Sequence, residues 1–418
     1  MIDVIIIGAG ASGMMAAIKA AKNKKVKVTI LEHSYEAGKK LLATGNGRCN
    51  LTNTKISEDY FRSHDRERIK RLLEKYNTDS IIDFFFELGM ICCEKNGYIY
   101  PYSYQASTVR DTLLNECVSN GVQIITDCHV IGVEKEEDKF AIRTSMGYTS
   151  ENGERKKKRE KFYGDRIVIA CGSKAYPKLG SDGSGYGIAK ELGLKIYPVV
   201  PALTGLKCKE DIYRLASGVR TGANIDLFVD HEKMASDTGE IQLTDYGISG
   251  IPVFQVSRYA SYGIAEGCKV HGIIDFMPEY EESELRKILT NNVSRFSEKS
   301  IYDILLGMIN SKLAKMILAY CRIGENKLNP KINETDIDDI IRGIKRFYTV
   351  ITGTNDYEQS QVCAGGISLS EVDDCFQSKK IPGVYIVGEI LDVDGMCGGY
   401  NLHWAWISGM IAGEDIGK

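Results

Sequence analysis

The hydrophobic positions near the N-terminus predict a strand, a helix and a second strand. Residues 4–7 are a continuous run of β-branched side chains, which is typical of a strand buried on both faces of a parallel sheet. Residues 14–22 are rich in alanine and methionine and favour a helix. Residues 26–31 form a second apolar run that ends at Glu32. The segment therefore predicts a β-α-β unit.

Buried-strand patterns return later in the chain. Residues 166–171 form one such run, and residues 123–126 and 140–143 before it alternate in a way that predicts an antiparallel meander. Residues 384–387 form another run, followed by a glycine-rich segment and by apolar residues at helical spacing over 402–412. The two ends of the chain thus predict related strand-turn-helix elements.

The pattern changes between residues 198 and 350. Up to about residue 280, short strand-like pieces with frequent glycine predict a small β-barrel. From residue 281 the pattern becomes helical, with an apolar stripe at i, i+3, i+4, i+7 and i+8 that indicates core packing. The stripe consists of Ile301, Ile304, Leu305, Met308 and Ile309.

The turn after the first strand has the order Gly-x-Gly-x-x-Gly over residues 8–13. Gly8 permits the tight turn, Gly10 allows a pyrophosphate to approach the backbone, and Gly13 allows the helix to pack closely on the strand. The helix N-terminus offers N–H groups and a partial positive charge to phosphates, and Glu32 can accept the hydroxyls of an adenosine ribose. These features predict a dinucleotide site, although the motif alone leaves FAD or NAD open.

Two further segments favour a flavin dinucleotide. Residues 38–50 form a polar loop dense in glycine and cations, which suits a ligand whose far end lies well beyond the first turn. Residues 392–401 lead into the C-terminal helix, and this arrangement resembles the last element of two-part flavoprotein folds, in which the helix N-terminus can stabilise negative charge on a reduced flavin. We therefore predict an α/β protein with a Rossmann-like two-part FAD-binding fold. Its expected parts are residues 1–197 and 351–418, with a barrel (198–280) and a helical region (281–350) inserted.

Composition narrows the class of protein further. The chain has 418 residues, 43% of them hydrophobic, and a net charge of -3, which excludes disorder and argues against a strongly basic nucleic-acid binder. The twelve cysteines lack metal-site spacing, so we expect no structural metal. No apolar run is long enough to span a membrane, and no signal peptide is evident. These features predict a protein of the reducing cytoplasm; they indicate no oligomeric state.

The motifs together resemble the BaiN/RdsA family of NAD(P)/FAD-dependent oxidoreductases. The resemblance is carried by the glycine turn, by Thr-Gly-Asn-Gly-Arg-Cys-Asn at 44–50, by Gly-Ser-Lys-Ala-Tyr-Pro at 172–177, and by Gly-Glu at 388–389 with Gly-Gly-Tyr-Asn at 398–401. It covers essentially the whole chain. It implies a flavoprotein that reduces a carbon–carbon double bond, and NAD(P)H is the expected electron donor. Family members are linked to a uracil of large-subunit ribosomal RNA and to unsaturated 3-oxo bile acids.

The motifs and the resemblance place one set of residues at the FAD site. They are Gly8, Gly10, Ala11, Ser12, Gly13, Glu32, His33, Lys39, Lys40, Thr44, Gly45, Asn46, Gly47, Arg48, Cys49, Asn50, Val130, Ala170, Cys171, Gly172, Gly388, Glu389, Asp392, Gly398, Gly399, Tyr400, Asn401 and Leu402. The chain departs from the family pattern elsewhere. The family has threonine at Cys363 and Cys397, glutamine at His403 and histidine at Asp245.

Reduction of either substrate needs a hydride donor, hydrogen bonds to a carbonyl and an acid that protonates the α carbon. Cys49 is our first candidate for the acid, and an alternative is that it only packs; Cys397, Tyr400 and His403 are further candidates. The first substrate that we expect is the ribosomal uracil, and the second is a steroid or bile-acid enone. A flavin oxidase and a non-catalytic flavin-binding protein stay open. No Cys-x-x-C and no second dinucleotide motif occur in the sequence, which argues against a disulfide reductase and a separate NAD(P)H domain.

Overall fold

The computed structural model describes residues 1–149 and 154–418. The chain forms two compact units. The first comprises Met1–Val199 and Gln361–Lys418, and the second comprises Val200–Ser360. In the described residues, no helix combines the length and apolar character needed to cross a membrane. None of the twelve cysteines, all of which are described, forms a disulfide.

In its described residues, the first pass of the chain through the first unit contains twelve strands and six α-helices. Its strands are β1 (Ile2–Ile7), β2 (Val26–Leu31), β3 (Thr52–Asn53), β4 (Phe61–Arg62), β5 (Cys92–Lys95), β6 (Tyr98–Pro101), β7 (Gln123–Ile125), β8 (Cys128–Glu136), β9 (Lys139–Thr149), β10 (Arg155–Gly164), β11 (Arg166–Ile169) and β12 (Ile196–Ala202). Its helices are α1 (Ala11–Ala21), α2 (Lys39–Ala43), α3 (Arg66–Lys75), α4 (Thr78–Glu87), α5 (Ala106–Ser119) and α6 (Ser184–Glu191).

The second unit is a closed antiparallel barrel with a group of helices. The strand order is β13-β16-β15-β14-β17-β18. The strands are β13 (Leu206–Cys208), β14 (Arg220–Val229), β15 (Glu232–Thr244), β16 (Gly247–Gly250), β17 (Val270–Asp275) and β18 (Phe347–Thr354). The helices are α7 (Ile251–Ala265), α8 (Glu282–Arg295), α9 (Ile301–Leu305), α10 (Ser311–Tyr320) and α11 (Glu334–Lys345).

The sequence pattern differs from the second unit in three places. The pattern predicts only strands in this region and does not predict helix α7, which lies between two barrel strands. It extends the stripe from Ile301 to Ile309 as one helix, whereas α9 ends at Leu305 and Gly307 follows. Strand β18 runs to Thr354, past the boundary at 350 that we expect from sequence.

The chain returns to the first unit with β19 (Val362–Ile367), β20 (Val384–Ile386), β21 (Asp394–Gly395) and α12 (Tyr400–Ile416). The central sheet has the order β20-β11-β1-β2-β7, and all its pairs are parallel. Strand β7 therefore joins this sheet, and the expectation that residues 123–126 belong to a meander is wrong. The meander consists of β8, β9 and β10. The predicted fold class is confirmed.

Central-sheet strands are buried because both faces are covered. Ile6 pairs with Ile30 of β2 and with Val168 of β11, and all three side chains are fully buried. This is why their sequences are continuous apolar runs rather than alternating ones.

Helices α1 and α12 pack with their backbones in close contact. A Cβ added at Gly409 would lie 2.4 Å from the Ser12 carbonyl oxygen, and one at Gly413 would lie 2.5 Å from that of Ala16. Only glycine leaves room for this approach. The packing fixes α12, whose N-terminus lies at the candidate site, against the helix that follows the glycine turn.

Candidate functional site

One cavity in the first unit gathers most of the predicted site residues. It encloses about 1150 Å³, counting the part that opens to solvent. The predicted residues that line it are Gly8, Gly10, Ala11, Ser12, Glu32, His33, Lys39, Lys40, Thr44, Val130, Ala170, Cys171, Gly172, Glu389, Asn401 and Leu402. They come from both ends of the chain and from the middle of the first unit, so the fold assembles the cavity from segments distant in sequence.

Other predicted residues do not line this cavity. They are Gly13, Gly45, Asn46, Gly47, Arg48, Cys49, Asn50, Gly388, Asp392, Cys397, Gly398, Gly399, Tyr400 and His403. Several lining residues carry no motif and were missed, including His129, Gln361, Val362 and Ala405. His129 follows a predicted strand closely and Ala405 lies within the predicted C-terminal helix, whereas Gln361 and Val362 carry no sequence signal.

The three glycines of the turn have different surroundings. A Cβ at Gly8 would lie 2.5 Å from the Ala170 carbonyl oxygen, and Gly8 has a φ of 109°. A Cβ at Gly13 would lie 2.0 Å from the Gly8 carbonyl oxygen. A Cβ at Gly10 would meet no protein atom within 4 Å, although Gly10 lines the cavity. Gly8 and Gly13 thus shape the turn, whereas Gly10 leaves space for a ligand at the N-terminus of α1, which fits a pyrophosphate.

Glu32 is buried at the end of β2 and faces the cavity. Its Oε2 accepts a hydrogen bond from the Ala9 N–H at 2.7 Å, and its Oε1 accepts one from the Ser34 N–H at 2.8 Å. Each carboxylate oxygen can accept a second bond. The side chain is therefore held in place by the backbone and retains acceptor capacity, as a partner for ribose hydroxyls requires.

Lys40 and Glu389 form an ion pair in the cavity wall. The Lys40 Nζ lies 2.7 Å from the Glu389 Oε2, and both side chains are mostly buried. The Glu389 Oε1 accepts bonds from the Ser173 hydroxyl at 2.6 Å and the Cys363 N–H at 3.2 Å. Four chain segments therefore meet at one carboxylate, which joins the loop after β2 to the C-terminal segment.

Residues 44–50 adopt a sharply folded conformation. Gly45, Asn46, Gly47 and Cys49 all have positive φ, between 54° and 81°. The two non-glycine residues are in a backbone region that side chains rarely adopt, and such conformations concentrate at functional sites. As a result, Arg48 is exposed while its neighbour Cys49 is fully buried.

The Cys49 thiol retains its proton at neutral pH. Burial raises its pKa to about 12, although a hydrogen bond from Thr44 opposes part of that rise. Because the thiol is wholly buried and does not line the cavity, its geometry favours packing over proton transfer. Its catalytic role stays a prediction.

His403 is also fully buried, and both of its ring nitrogens are engaged. Its Nε2 lies 3.1 Å from the Tyr76 carbonyl oxygen, which can only accept, so Nε2 carries the proton. Its Nδ1 then accepts from the Thr52 hydroxyl at 2.8 Å. Burial lowers its pKa to about 4. These contacts describe a neutral histidine that fixes α12, and they leave no nitrogen for a substrate.

Asp392 lies against His64 rather than on the cavity. Its Oδ2 accepts bonds from the His64 backbone N–H at 3.1 Å and from Nδ1 of the ring at 2.8 Å. The expectation that Asp392 contacts the cofactor directly therefore has no support in its contacts.

The first turn of α12 lies at the cavity. Gly399 precedes it with a φ of 93°, and a Cβ there would lie 2.7 Å from the Thr52 carbonyl oxygen. The Asn401 amide accepts from the Gly395 N–H and donates to the Gly395 carbonyl, each at 2.8 Å. These bonds hold the preceding loop, and they direct the positive end of a 17-residue helix toward the cavity.

Comparison with known proteins identifies a family. The family described as HI0933-like protein Rossmann domain matches residues 2–415. A 3-dehydro-bile acid delta(4,6)-reductase from Clostridium scindens is 40% identical over 98% of this chain and 97% of its own. A ribosomal RNA dihydrouridine synthase from Escherichia coli is 26% identical over 99% of this chain and 98% of its own.

Among solved structures, a 3-ketosteroid-delta4-(5alpha)-dehydrogenase from Rhodococcus jostii RHA1 matches all of this chain and 97% of its own, with 13% identity and a TM-score of 0.49. The family match spans almost the whole chain, and the predicted family and enzyme class are confirmed. The chain belongs to the HI0933-like family of Rossmann-fold, FAD-dependent oxidoreductases.

Proposed function

We propose that this protein uses FAD, with electrons from NAD(P)H, to reduce a carbon–carbon double bond conjugated to a ketone in a steroid-like acid. The observation that carries the proposal is the 40% identity, over 98% of the chain, to a bile-acid enone reductase. Identity to a ribosomal RNA dihydrouridine synthase is 26% over a similar length. The steroid enone therefore takes the place of the ribosomal uracil as the first substrate.

Different residues of the cavity suit different parts of an FAD molecule. The backbone at Gly10 and the N-terminus of α1 would hold the pyrophosphate, and Glu32 would hold the adenosine ribose. Lys40, Thr44, Asn401 and Leu402 also line the cavity, and the flavin ring would lie beside them. When bound there, FAD supplies the hydride that adds to the double bond.

The chain's own groups have three tasks in this reaction. The N-terminus of α12 places a positive potential beside developing negative charge. The Lys40–Glu389 pair adds a fixed charge pair to the cavity wall and connects the two halves of the fold. A protonated side chain must also reach the α carbon of the substrate. Cys49 keeps its proton in the folded 44–50 segment, but it is buried away from the cavity, so its role as the acid stays a prediction.

The proposal is tested by reducing the flavin-loaded protein anaerobically with NADH or NADPH and then adding one acceptor. We expect a bile acid with a 3-oxo-4-ene to reoxidise the flavin and to gain two hydrogens. Reoxidation by a uridine-containing ribosomal RNA fragment alone would assign the protein to the other substrate. Rapid reoxidation by oxygen alone, with peroxide release, would indicate an oxidase.

A further inference from the structure

We propose that a partly exposed tyrosine face beside the 44–50 segment binds the ring skeleton of the substrate, and that Arg48 binds its carboxylate. This proposal rests on the proposed function and specifies the substrate as an anionic, fused-ring enone. The tyrosine face is defined by Tyr98, Tyr100 and Tyr104.

The three rings form a continuous aromatic surface on one side of a small sheet. Tyr98 and Tyr100 alternate along β6 with Ile99 and Pro101, which are buried on the other side. The ring centroids of Tyr98 and Tyr100 are 6.4 Å apart, and those of Tyr100 and Tyr104 are 5.5 Å apart. Tyr104 is 38% exposed. A flat apolar ligand can pack on such rings while the phenol hydroxyls stay hydrated.

The tyrosine face borders both segments expected beside the flavin. A Cβ at Gly45, in the 44–50 segment, would lie 3.9 Å from a ring carbon of Tyr100. A Cβ at Gly398, just before α12, would lie 3.2 Å from a ring carbon of Tyr98. The Asn53 amide donates to the Gly398 carbonyl oxygen at 3.0 Å and fixes this contact. A ligand on the face is therefore next to the flavin end of the cavity.

Two cations, Arg48 and Lys95, lie beside the tyrosine face. Arg48 is exposed, and no carboxylate of the described residues lies within ion-pair distance of it. The Arg48 N–H donates to the Gly45 carbonyl oxygen at 3.2 Å, and Gly45 lies against the ring of Tyr100, so Arg48 is held beside the face. Lys95 lies across the sheet from Tyr98 on the same side, whereas Glu94 pairs with Ile99 on the opposite side. This arrangement favours an anion, and a guanidinium is well suited to a carboxylate.

The test compares the 3-oxo-4-ene acid with its neutral methyl ester as substrates. The variants are Arg48→Met, Arg48→Lys, Tyr100→Leu and a control, Arg71→Met, which removes an exposed arginine on α3. We expect Arg48→Met to raise KM for the acid about tenfold relative to the ester, because a hydrogen bond to a charged group is lost. Arg48→Lys should restore part of that preference. Tyr100→Leu should raise KM for acid and ester alike, and Arg71→Met should change neither.

A second measurement is independent of turnover. Calorimetry measures binding of the saturated acid and its ester, neither of which can be reduced, to the flavin-loaded protein. We expect Arg48→Met to weaken binding of the saturated acid alone. Equal losses for acid and ester, or no loss, would overturn the role of Arg48 even if the wild-type protein reduces the enone.

Failure of the proposed function gives a different result, because the wild-type protein would then reduce neither acid nor ester. A ribosomal RNA fragment whose binding depends on Tyr100 and Arg48, in a protein that binds neither steroid, would assign the face to RNA and overturn the proposal.

Discussion

A methyl group added at Gly10 projects into the cavity without meeting protein. Gly10 has φ -84° and ψ -168°, an extended conformation that alanine adopts without strain. Gly10→Ala should therefore leave the apoprotein as stable as wild type, or more stable by about 0.4–1 kcal/mol, since it restricts the unfolded chain. The same methyl group occupies the space that a pyrophosphate requires. Overpacking of that kind costs about 1–3 kcal/mol, which corresponds to a flavin Kd roughly fivefold to 150-fold higher.

Gly13→Ala provides the contrasting case. Its Cβ would lie 2.0 Å from the Gly8 carbonyl oxygen, so the turn itself must move. We expect a loss of stability of about 1–3 kcal/mol, against a gain of up to about 1 kcal/mol from the better helix propensity of alanine. Gly187→Ala is the matched control, because Gly187 lies in α6, meets nothing within 4 Å and does not line the cavity.

The assays are thermal unfolding of each apoprotein and titration with FAD followed by flavin fluorescence. Gly10→Ala should bind FAD more weakly while its apoprotein Tm is no lower than that of the wild type. Gly13→Ala should bind FAD more weakly and also have a lower Tm, and Gly187→Ala should bind FAD as the wild type does. Wild-type FAD affinity in Gly10→Ala would refute the placement of the pyrophosphate. A large fall in its apoprotein Tm would refute the reading of Gly10 as open space.

Three further predictions concern single side chains. The folded His403 has a pKa of about 4 against 6.5 when unfolded, so the unfolded chain takes up the proton first as pH falls. The free energy of unfolding is therefore at its full value above about pH 6.5 and falls toward pH 4 by on the order of 3 kcal/mol. Measured by urea unfolding, the stability of His403→Gln should depend less on pH than that of the wild type. Identical dependence on pH in the two proteins would contradict this prediction. Lys40→Met leaves the Glu389 carboxylate without its cation. A double-mutant cycle with Glu389→Gln should give a coupling energy of at least about 0.5 kcal/mol in the free energy of unfolding. Additive losses of stability in the double mutant would mean that the pair does not interact. Cys49→Ala should retain bound flavin, and a fall in kcat of about 100-fold or more would support Cys49 as the acid, whereas unchanged kcat would eliminate it.

The local elements at the N-terminus are predictable because their signals are local. The run from Val4 to Ile7, the glycine turn and Glu32 lie within one short segment, and each has a single physical reason for its position. The β7 strand is different. A strand this short shows the same alternation whether it belongs to an antiparallel meander or to the edge of a parallel sheet. Only its parallel pairing with β2 in the structure identifies it as an edge strand of the parallel sheet.

Side-chain direction in the 44–50 segment was beyond sequence reasoning. Four of the five residues from Gly45 to Cys49 have positive φ angles, so Arg48 is exposed and Cys49 is buried although they are adjacent. The partners of His403 were equally beyond prediction from sequence. A histidine near a glycine-rich turn suggests a catalytic role, and only the structure shows that its two ring nitrogens are hydrogen-bonded to Tyr76 and Thr52. The tyrosine face is another case, because its rings come together only when β6 forms.

The most direct test of the account is a single turnover without oxygen. The flavin of the purified protein is reduced with NADPH or NADH, and the protein is then mixed with a 3-oxo-4-ene bile acid. The visible absorbance of the flavin is followed over time, and the mass of the product is measured by mass spectrometry. We expect flavin reoxidation at a rate that depends on steroid concentration, with one saturated product formed per flavin. A flavin that stays reduced with the steroid and is reoxidised only by ribosomal RNA or by oxygen would contradict it.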